Sequence, residues 1–363
     1  MADIDKPGVF PIRHLLKDPD ITEVMLNGPH QLFVEKGGIM QSLPPVFVDA
    51  QQMFALVDNL IATTGRAVNA KAPMVDFRLD DGSRVNIVIA PVALNGPIVT
   101  IRKFTRSLKT FDDMISRGTM TPRMAHFLDV AVKARLNVLF SGGTGSGKTT
   151  TLGLLCGRMD PRDRVVVIED TAELDLNLPH CVRLECRPPG IDGAAGAGLG
   201  ELLKNSLRMR PTRILVGEIR GEEAFEMLHA MTSGHDGSMA VMHASSPQHA
   251  ISRLELMLLS RGLPLPLWAI QRQIATSIDI VIQHAILKDG VRRITDIAEV
   301  VGVQDDQVML QPIFRYQLER YGTSDGRAVG GFVASGMRPK FYEKLRLVVG
   351  SAQTEKILAA GAA

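Results

Sequence analysis

The sequence predicts two domains: an α/β domain with a largely parallel sheet, preceded by an α+β domain with a mainly antiparallel sheet. From residue 164 to residue 260, strand and helix patterns alternate, which is typical of a parallel sheet with helices on both faces. Before residue 105, short strand-like runs are separated by turn residues. The 363 residues, 45% of them hydrophobic, are enough for two cores. We expect domains at 1–105 and 116–363, the latter with a C-terminal extension, joined by a linker at 106–115.

Strand and turn signals define the first domain. Three strand-like runs are broken by Asn27-Gly28-Pro29 and by Gly37-Gly38, which favour turns. Asp49 is typical of a helix N-cap, and the apolar spacing after it predicts an amphipathic helix to about residue 62. Asp80-Asp81-Gly82-Ser83 predicts a hairpin turn between two further strands. The predicted strands are 21–26, 31–35, 39–43, 74–79, 84–89 and 98–104.

Alternating apolar segments define the second domain. Runs rich in Val, Ile and Leu predict buried strands, and longer segments with helical periodicity predict helices between them. Two helical patterns are expected between residue 111 and about residue 135. The strands are expected at 135–141, 164–169, 213–217 and 238–243, with helices at 150–158, 198–209, 222–232 and 247–260. After residue 266 we expect a helix, strands at 278–287, 292–301 and 308–314, and a helix near 339–348.

A glycine-rich loop between the first strand and helix of this domain carries the clearest functional signal. It reads Gly142-Gly143-Thr144-Gly145-Ser146-Gly147-Lys148-Thr149-Thr150 and fits the phosphate-binding pattern G-x-x-x-x-G-K-[ST]. The glycines let backbone N–H groups converge on phosphate oxygens, and the following helix adds its positive end. We expect Lys148 to bind the β- and γ-phosphates and Thr149 to bind Mg²⁺. The chain is therefore predicted to bind a nucleoside triphosphate.

Acidic residues and a histidine end the strands beside this loop, where ligands of parallel sheets lie. Glu169 and Glu218 are both candidates to bind Mg²⁺ or to activate the attacking water, and the sequence leaves open which is the general base. His243 ends a third strand, where its imidazole could touch the γ-phosphate. The alternatives are that Glu169 caps a turn and that His243 makes an ordinary polar contact.

Two arginines of the first domain are further candidates. Arg84 and Arg102 lie on predicted strands, and they could reach the bound phosphates and supply positive charge in the transition state, as an arginine finger does. The alternative is that both belong to the solvated face of a two-sided sheet.

Composition argues against several other classes of protein. The formal net charge of +2 gives no overall reason to expect nucleic acid as a partner, and aromatic residues are only 5% of the chain. No run of about 18 apolar residues could span a bilayer, and the first residues lack the pattern of a secretory signal. The three cysteines are too few and too scattered for a disulfide framework or a zinc site. We expect a cytoplasmic protein.

Four blocks of the sequence resemble the type II/type IV secretion ATPases. They are the phosphate loop, an "Asp box" Ile168-Glu169-Asp170-Thr171-Ala172-Glu173-Leu174, an atypical Walker B Ile214-Leu215-Val216-Gly217-Glu218-Ile219-Arg220, and a "His box" from Gly234-His235-Asp236-Gly237-Ser238 to His243-Ala244. Four other segments look most like the CpaF-type ATPases of tight-adherence (Flp) pili: Arg187-Pro188-Pro189, Ser206-Leu207-Arg208-Met209-Arg210-Pro211, Asp81-Gly82-Ser83-Arg84-Val85-Asn86 and Thr100-Ile101-Arg102-Lys103-Phe104. The four-cysteine zinc insert of the type II secretion ATPases is absent.

The resemblance implies a RecA-like P-loop ATPase domain and a PAS-like first domain. It also implies ATP and Mg²⁺ as ligands and a homohexamer in which each nucleotide lies between the two domains and near the neighbouring subunit. Such a ring docks on an inner-membrane platform protein, peripheral to the membrane, and drives pilus extension or retraction.

Two other functions remain open on the sequence. The same engine could serve a conjugative or effector type IV secretion system. A RecA-like nucleic-acid translocase belongs to a different class and predicts basic and aromatic residues around a channel, and no such tract stands out.

Overall fold

The computed structural model describes residues 11–62, 64, 66–103, 110–174, 176, 178–187, 195–262, 264–323 and 326–363. The chain divides into two compact units, Met1–Ser107 and Leu108–Ala363. The predicted linker at 106–115 lies partly outside the described residues, and a helix begins within it at Phe111. This helix and the one after it, Pro122–Lys133, confirm the two helical patterns expected over 111–135. Thr110 and Asp113 form a capping box that starts the first of them, which the sequence reading did not identify.

The first unit is a six-stranded antiparallel sheet with helices. Its sheet order is β3-β2-β1-β6-β5-β4, and each neighbouring pair runs antiparallel, which confirms the predicted α+β class. The elements are α1 Arg13–Lys17, β1 Ile21–Asn27, β2 Leu32–Lys36, β3 Ile39–Leu43, α2 Ala50–Ile61, β4 Met74–Arg78, β5 Arg84–Val88 and β6 Ile98–Arg102.

Helix α2 supplies the core of the first unit. Asp49 caps it by accepting a hydrogen bond from the backbone N–H of Gln52 at 2.9 Å. Its apolar side chains recur at helical spacing and are buried with inward-facing residues of the strands. Examples of this cluster are Met53, Leu56, Leu60, Val24, Ile87 and Ile101.

The second unit contains a ten-stranded mixed sheet between two layers of helices. Its elements are α3 Phe111–Ser116, α4 Pro122–Lys133, β7 Val138–Gly142, α5 Lys148–Cys156, β8 Val165–Glu169, β9 Cys181–Glu185, α6 Leu199–Ser206, β10 Arg213–Ile219, α7 Glu223–Thr232, β11 Met239–Met242, α8 Pro247–Ser260, α9 Leu267–Ser277, β12 Ile280–Ile286, β13 Arg292–Gln304, β14 Gln307–Tyr321, β15 Ala328–Ala334, α10 Tyr342–Val349, α11 Ser351–Leu358 and β16 Gly361–Ala362.

The sheet order is β16-β15-β14-β13-β12-β7-β11-β10-β8-β9. The six strands from β12 to β9 are parallel, as the alternating pattern predicts, and the strands from β12 to β16 are antiparallel. Helices α4, α5, α10 and α11 pack on one face, and α6 to α9 pack on the other. Strand β8 shows the resulting burial on both faces, since Val165 and Val167 belong to one core and Val166 and Ile168 to the other.

The strand register brings the predicted site residues to one edge. Gly142, which ends β7, is the register partner of His284 on β12, and Ser141 before it is the partner of Met242 on β11. His243 therefore follows β11 next to Gly142. Glu218 near the end of β10 and Glu169 at the end of β8 lie at the same edge, so the carboxyl ends of the parallel strands bring the polar groups together in one row.

Candidate functional site

The phosphate loop begins where β7 and β12 approach closely. Gly142 has φ 154°, and a Cβ built on it would lie 2.4 Å from the backbone oxygen of His284. Gly147 has φ 101° at the N-cap of α5. Only glycine fits these two positions without strain, because one lacks space and the other has a left-handed backbone. The two fixed glycines of the pattern are thus explained by the backbone.

Lys148 lies folded against the loop. Its side-chain nitrogen donates to the carbonyl oxygens of Gly142 at 3.0 Å and Gly143 at 2.6 Å, and the residue is only 6% exposed. Ser146 Oγ donates to the same Gly143 oxygen at 2.8 Å. From β13, Arg292 Nε donates to the Gly145 oxygen at 2.7 Å. The loop is therefore held by its own side chains and by one side chain from strand β13.

Glu218 is aimed into the site by an irregularity in β10. The register with β11 shifts between Val216 and Ile219, so Gly217 and Glu218 fall within an irregular part of the ladder. Such a bulge redirects the side chain that follows it. Arg220 binds the Glu218 carboxylate with two hydrogen bonds, of 2.7 and 3.0 Å. Burial opposes ionisation, but Arg220, His243 and Lys148 together hold the pKa of Glu218 below its ordinary value.

His243 faces this carboxylate. Its Nε2 lies 3.2 Å from Oε1 of Glu218, and the side chain is half-buried. Burial and the nearby charge of Lys148 lower the pKa of His243, and the Glu218 carboxylate only partly offsets them. The imidazole is therefore neutral at pH 7, and the tautomer with hydrogen on Nε2 donates to Glu218.

Glu169 is buried and largely committed to the chain that follows it. Its Oε1 accepts the backbone N–H groups of Glu173 at 2.7 Å and Leu174 at 2.8 Å. Burial raises the pKa of Glu169, although these two N–H groups act in the opposite direction. Oε2 lies 4.0 Å from Nη2 of Arg183. The carboxylate thus caps a turn, the alternative that the sequence left open, and keeps one oxygen for other contacts.

The two histidines of the predicted "His box" lie at opposite edges of the sheet. His243 follows β11, whereas His235 precedes it, and Nδ1 of His235 lies 3.2 Å from the Ala230 oxygen. The adjoining loop is anchored by the buried Asn137, whose Oδ1 accepts the N–H groups of Gly237 and Ser238. Asn137 therefore holds the glycine loop, and the His235 side chain contacts the end of the preceding helix.

Arg84 and Arg102 lie in the first unit. They are register partners on β5 and β6, and Arg78 on β4 is the partner of Arg84, so the three arginines form a row on one face of the sheet. Arg84 is half-buried and Arg102 is exposed. The arginine-finger role stays a prediction.

Sequence reasoning missed three residues that contact the site: Arg220, Arg292 and His284. His284 is fully buried beneath the loop, and burial together with the Lys148 charge lowers its pKa to about 3. Arg292 and His284 come from strands that follow the loop by more than 130 residues, so only the strand order could have indicated them. Arg220 could have been found, because it lies two residues after Glu218 at a strand end.

Oxygen donors suited to Mg²⁺ are present at this edge: the Thr149 hydroxyl in the first turn of α5, the ionised Glu218 and the second oxygen of Glu169. Within the described residues, no group of three His, Cys, Asp or Glu side chains could hold a metal by itself. A metal bound here would therefore take its remaining ligands from the oxygens of a bound phosphate.

None of the helices in the described part of the chain is long and apolar enough to cross a membrane.

Solved structures share this fold. The pilus retraction motor PilT with bound ADP gives a TM-score of 0.58 at 18% identity, over 81% of this chain and 82% of that one. The Legionella pneumophila ATPase DotB gives a TM-score of 0.55 at 18% identity, over 97% and 88%. At these identities the likeness shows the fold alone, a RecA-like P-loop domain with an antiparallel N-terminal domain.

Curated relatives show the family. A Mycobacterium tuberculosis protein provisionally described as a conjugal transfer protein is 31% identical over 334 residues, 90% of this chain and 94% of that one. The type IV secretion system protein PtlH of Bordetella pertussis is 32% identical over 308 residues, 78% and 91% of the two chains. The model of the type II/IV secretion system protein family matches residues 5–309. This chain belongs to the type II/IV secretion system protein family.

Proposed function

We propose that this chain is an ATPase that works as a homohexameric motor for assembly or retraction of a tight-adherence (Flp) pilus. The observation that carries the ATPase part of the proposal is the convergence of the Lys148 ammonium, the ionised Glu218 and the neutral His243 at the carboxyl ends of the parallel strands. Hydrolysis of a nucleoside triphosphate needs a cation for the phosphates and a group that orients or deprotonates water. The motor would dock on an inner-membrane platform protein from the cytoplasm.

Each group at the edge has a proposed role. The N–H groups of residues 142–150 and Lys148 would bind the phosphates, while Thr149 directly and Glu218 through water would hold Mg²⁺, which would neutralise phosphate charge. Glu218 is proposed as the general base rather than Glu169, because it is ionised, partly exposed and in contact with His243. Glu169 has one oxygen left to orient water or a metal-bound water. His243 contacts the γ-phosphate.

The arginine row of the first unit is proposed to supply further positive charge. Arg78, Arg84 and Arg102 lie side by side on three neighbouring strands, so one face of the sheet concentrates guanidinium groups. Guanidinium groups match phosphate oxygens in charge and in the direction of their hydrogen bonds. This arrangement supports a role for Arg84 and Arg102 at the phosphates.

The names of the relatives support a second kind of system that this ATPase could serve. Their names refer to conjugal transfer and type IV secretion, so a conjugative or effector secretion system is the alternative to a pilus. The motif segments typical of CpaF-type ATPases favour the pilus. Co-purification from membranes with the products of neighbouring genes would decide between the two.

Hydrolysis of ATP by the purified chain tests the proposal. We expect Mg²⁺-dependent turnover that Lys148→Ala abolishes, and Glu218→Gln should retain nucleotide binding while hydrolysis falls by roughly a hundredfold or more. Normal turnover by Glu218→Gln would refute its role. The molar mass of the purified protein, measured in the presence of nucleotide, should correspond to six copies of the chain. Strong stimulation by single-stranded DNA would instead support a nucleic-acid translocase.

A further inference from the structure

Gln283 lies at the carboxyl ends of the parallel strands, the edge of the sheet where the phosphate loop begins and which we call the nucleotide edge. It belongs to none of the sequence motifs of the site. It is only 3% exposed and sits on β12, in register with Ser141 of the strand that leads into the phosphate loop. We propose that Gln283 is a positioning residue that fixes the chain just after β11 and thereby holds the His243 imidazole in place. This inference rests on the proposed function, because it assigns Gln283 a role in ATP turnover through His243.

The contact that carries the proposal is a buried hydrogen bond. Nε2 of Gln283 donates to the backbone oxygen of Ala244 at 3.2 Å, and it also lies 3.3 Å from the backbone oxygen of His284. Two carbonyl oxygens around one amide group fix its orientation, because the opposite orientation would place three acceptors together. Ala244 directly follows His243, so the hydrogen bond holds the chain one residue beyond the imidazole.

Strand order explains why this contact is needed. Met242 is the last residue of β11, so His243 and Ala244 lie beyond the backbone ladder with the neighbouring strands. A chain leaving a ladder has more freedom than one inside it. Strand β12 lies on the far side of β7 from β11, and Gln283 therefore spans the intervening strand to reach Ala244.

The remaining polar atoms support a functional reading. Oε1 of Gln283 and Oγ of Ser141 are buried and make no hydrogen bond within the described part of the chain. Buried polar groups without partners are rare, and a functional role is one of the explanations for them. A leucine of similar size would fill this space without leaving an unpaired amide oxygen, yet the chain keeps a glutamine here.

A second glutamine provides a matched control. Gln271 on α9 is also 3% exposed, donates from Nε2 to the backbone oxygen of Asp306 at 2.7 Å, and has an Oε1 that makes no hydrogen bond to the described residues. It differs from Gln283 mainly in place, since α9 does not end at the nucleotide edge. Replacing either side chain should disturb a buried hydrogen bond to a similar extent.

The first test compares turnover. We expect Gln283→Leu to lower kcat for ATP roughly tenfold to a hundredfold with nucleotide Kd unchanged, because small misplacements of a catalytic group have effects of this size. Gln271→Leu should leave kcat within about twofold of the wild type while shifting Tm similarly. In a His243→Ala background, Gln283→Leu should cause no further loss. Equal turnover in the two glutamine variants, or additive losses in the double variant, would overturn the proposal.

The second test does not depend on catalysis. Deuterium uptake of a peptide that covers residues 241–246 should rise in Gln283→Leu and stay at the wild-type level in Gln271→Leu. Unchanged deuterium uptake in Gln283→Leu would contradict the positioning role. This result would count even if the turnover of His243→Ala were too low for the comparison with the double variant. If the wild type does not hydrolyse ATP, the proposed function fails, and the uptake measurement still decides whether Gln283 fixes this segment.

Discussion

Gly217 lies directly against Glu169: a Cβ built on Gly217 would lie 2.8 Å from Cγ of the glutamate on the neighbouring strand. P-loop ATPases commonly carry an aspartate at the end of this strand, where this chain has Gly217 followed by Glu218. The buried Glu169 side chain occupies the space that a larger residue would need. Two acidic groups are thus accommodated on adjacent strands because the residue between them has no side chain.

We predict that Gly217→Ala lowers the free energy of unfolding by about 1–3 kcal/mol, the usual cost of overpacking a core. The added methyl group would also displace Glu169 and the bulge that aims Glu218, so turnover should fall. Gly302→Ala is the control, since Gly302 also lies on a strand but a Cβ there would meet nothing within 4 Å. Denaturant unfolding and an ATPase assay measure the two effects. Equal stability of both variants would show that Glu169 moves aside freely.

The pH dependence of kcat/KM should have one limb, on the acid side. Glu218 must be ionised and His243 neutral, and both groups have a pKa below the ordinary value, 4.5 for the carboxyl and 6.5 for the imidazole. Activity is therefore fully present above both values and is lost as the pH falls through them. We expect a flat profile between roughly pH 7 and 8 and a decline that starts below about pH 6.5. A decline that already begins above about pH 7 would mean that His243 is protonated in the free enzyme.

Arg292 should matter for nucleotide affinity although it is far from the loop in sequence. Its Nε donates to the Gly145 oxygen, so Arg292→Gln removes a contact that fixes the backbone of the phosphate loop. We expect the Kd for ADP to rise roughly threefold to tenfold, the size of one hydrogen bond. Arg315→Gln is the control, because Arg315 is exposed and pairs with Asp296 on the next strand. Calorimetry would measure both, and equal Kd values would exclude the contact from nucleotide binding.

Asp163 should affect stability without affecting the site. It is 4% exposed and accepts from Nε of the buried Arg213 at 2.7 Å, at the sheet edge opposite the phosphate loop. Removing it leaves a buried guanidinium without its carboxylate, and Asp163→Ala should cost about 3–5 kcal/mol. The Kd for ADP at a temperature where the variant is folded should not change. Asp160→Ala, which removes the exposed pair with Arg162 and a hydrogen bond from the Arg162 backbone N–H, should cost much less stability.

The sequence predicted those parts of the fold that depend on a few adjacent residues. The phosphate loop, the N-cap at Asp49 and the apolar strand β8 are each read from a few adjacent residues. Strand β9 was missed because it is an edge strand with half-exposed residues and no apolar run. The capping box at Thr110 was missed because its polar residues were interpreted as a linker.

Residues of the candidate site were predicted where they lie at the end of a strand that the sequence itself indicates, as Glu218 and His243 do. Contacts across strands could not be predicted, because they depend on which strands become neighbours. Gln283 and His284 reach the site only because β12 pairs with β7, and no local feature of residues 280–286 indicates that pairing. Arg213 shows the same limit: it stands near other basic residues in the sequence, yet it is buried against Asp163.

The separation of His235 and His243 has a consequence for genetics. Strand β11, Met239–Met242, separates the two histidines by about 10 Å between its first and last Cα atoms. What an alignment would present as a single block therefore lies at two opposite ends of one strand. A saturation screen across residues 234–244 should yield two classes of variant. In one class, changes near His243 alter hydrolysis; in the other, changes near His235 act through contacts at the opposite end of the strand.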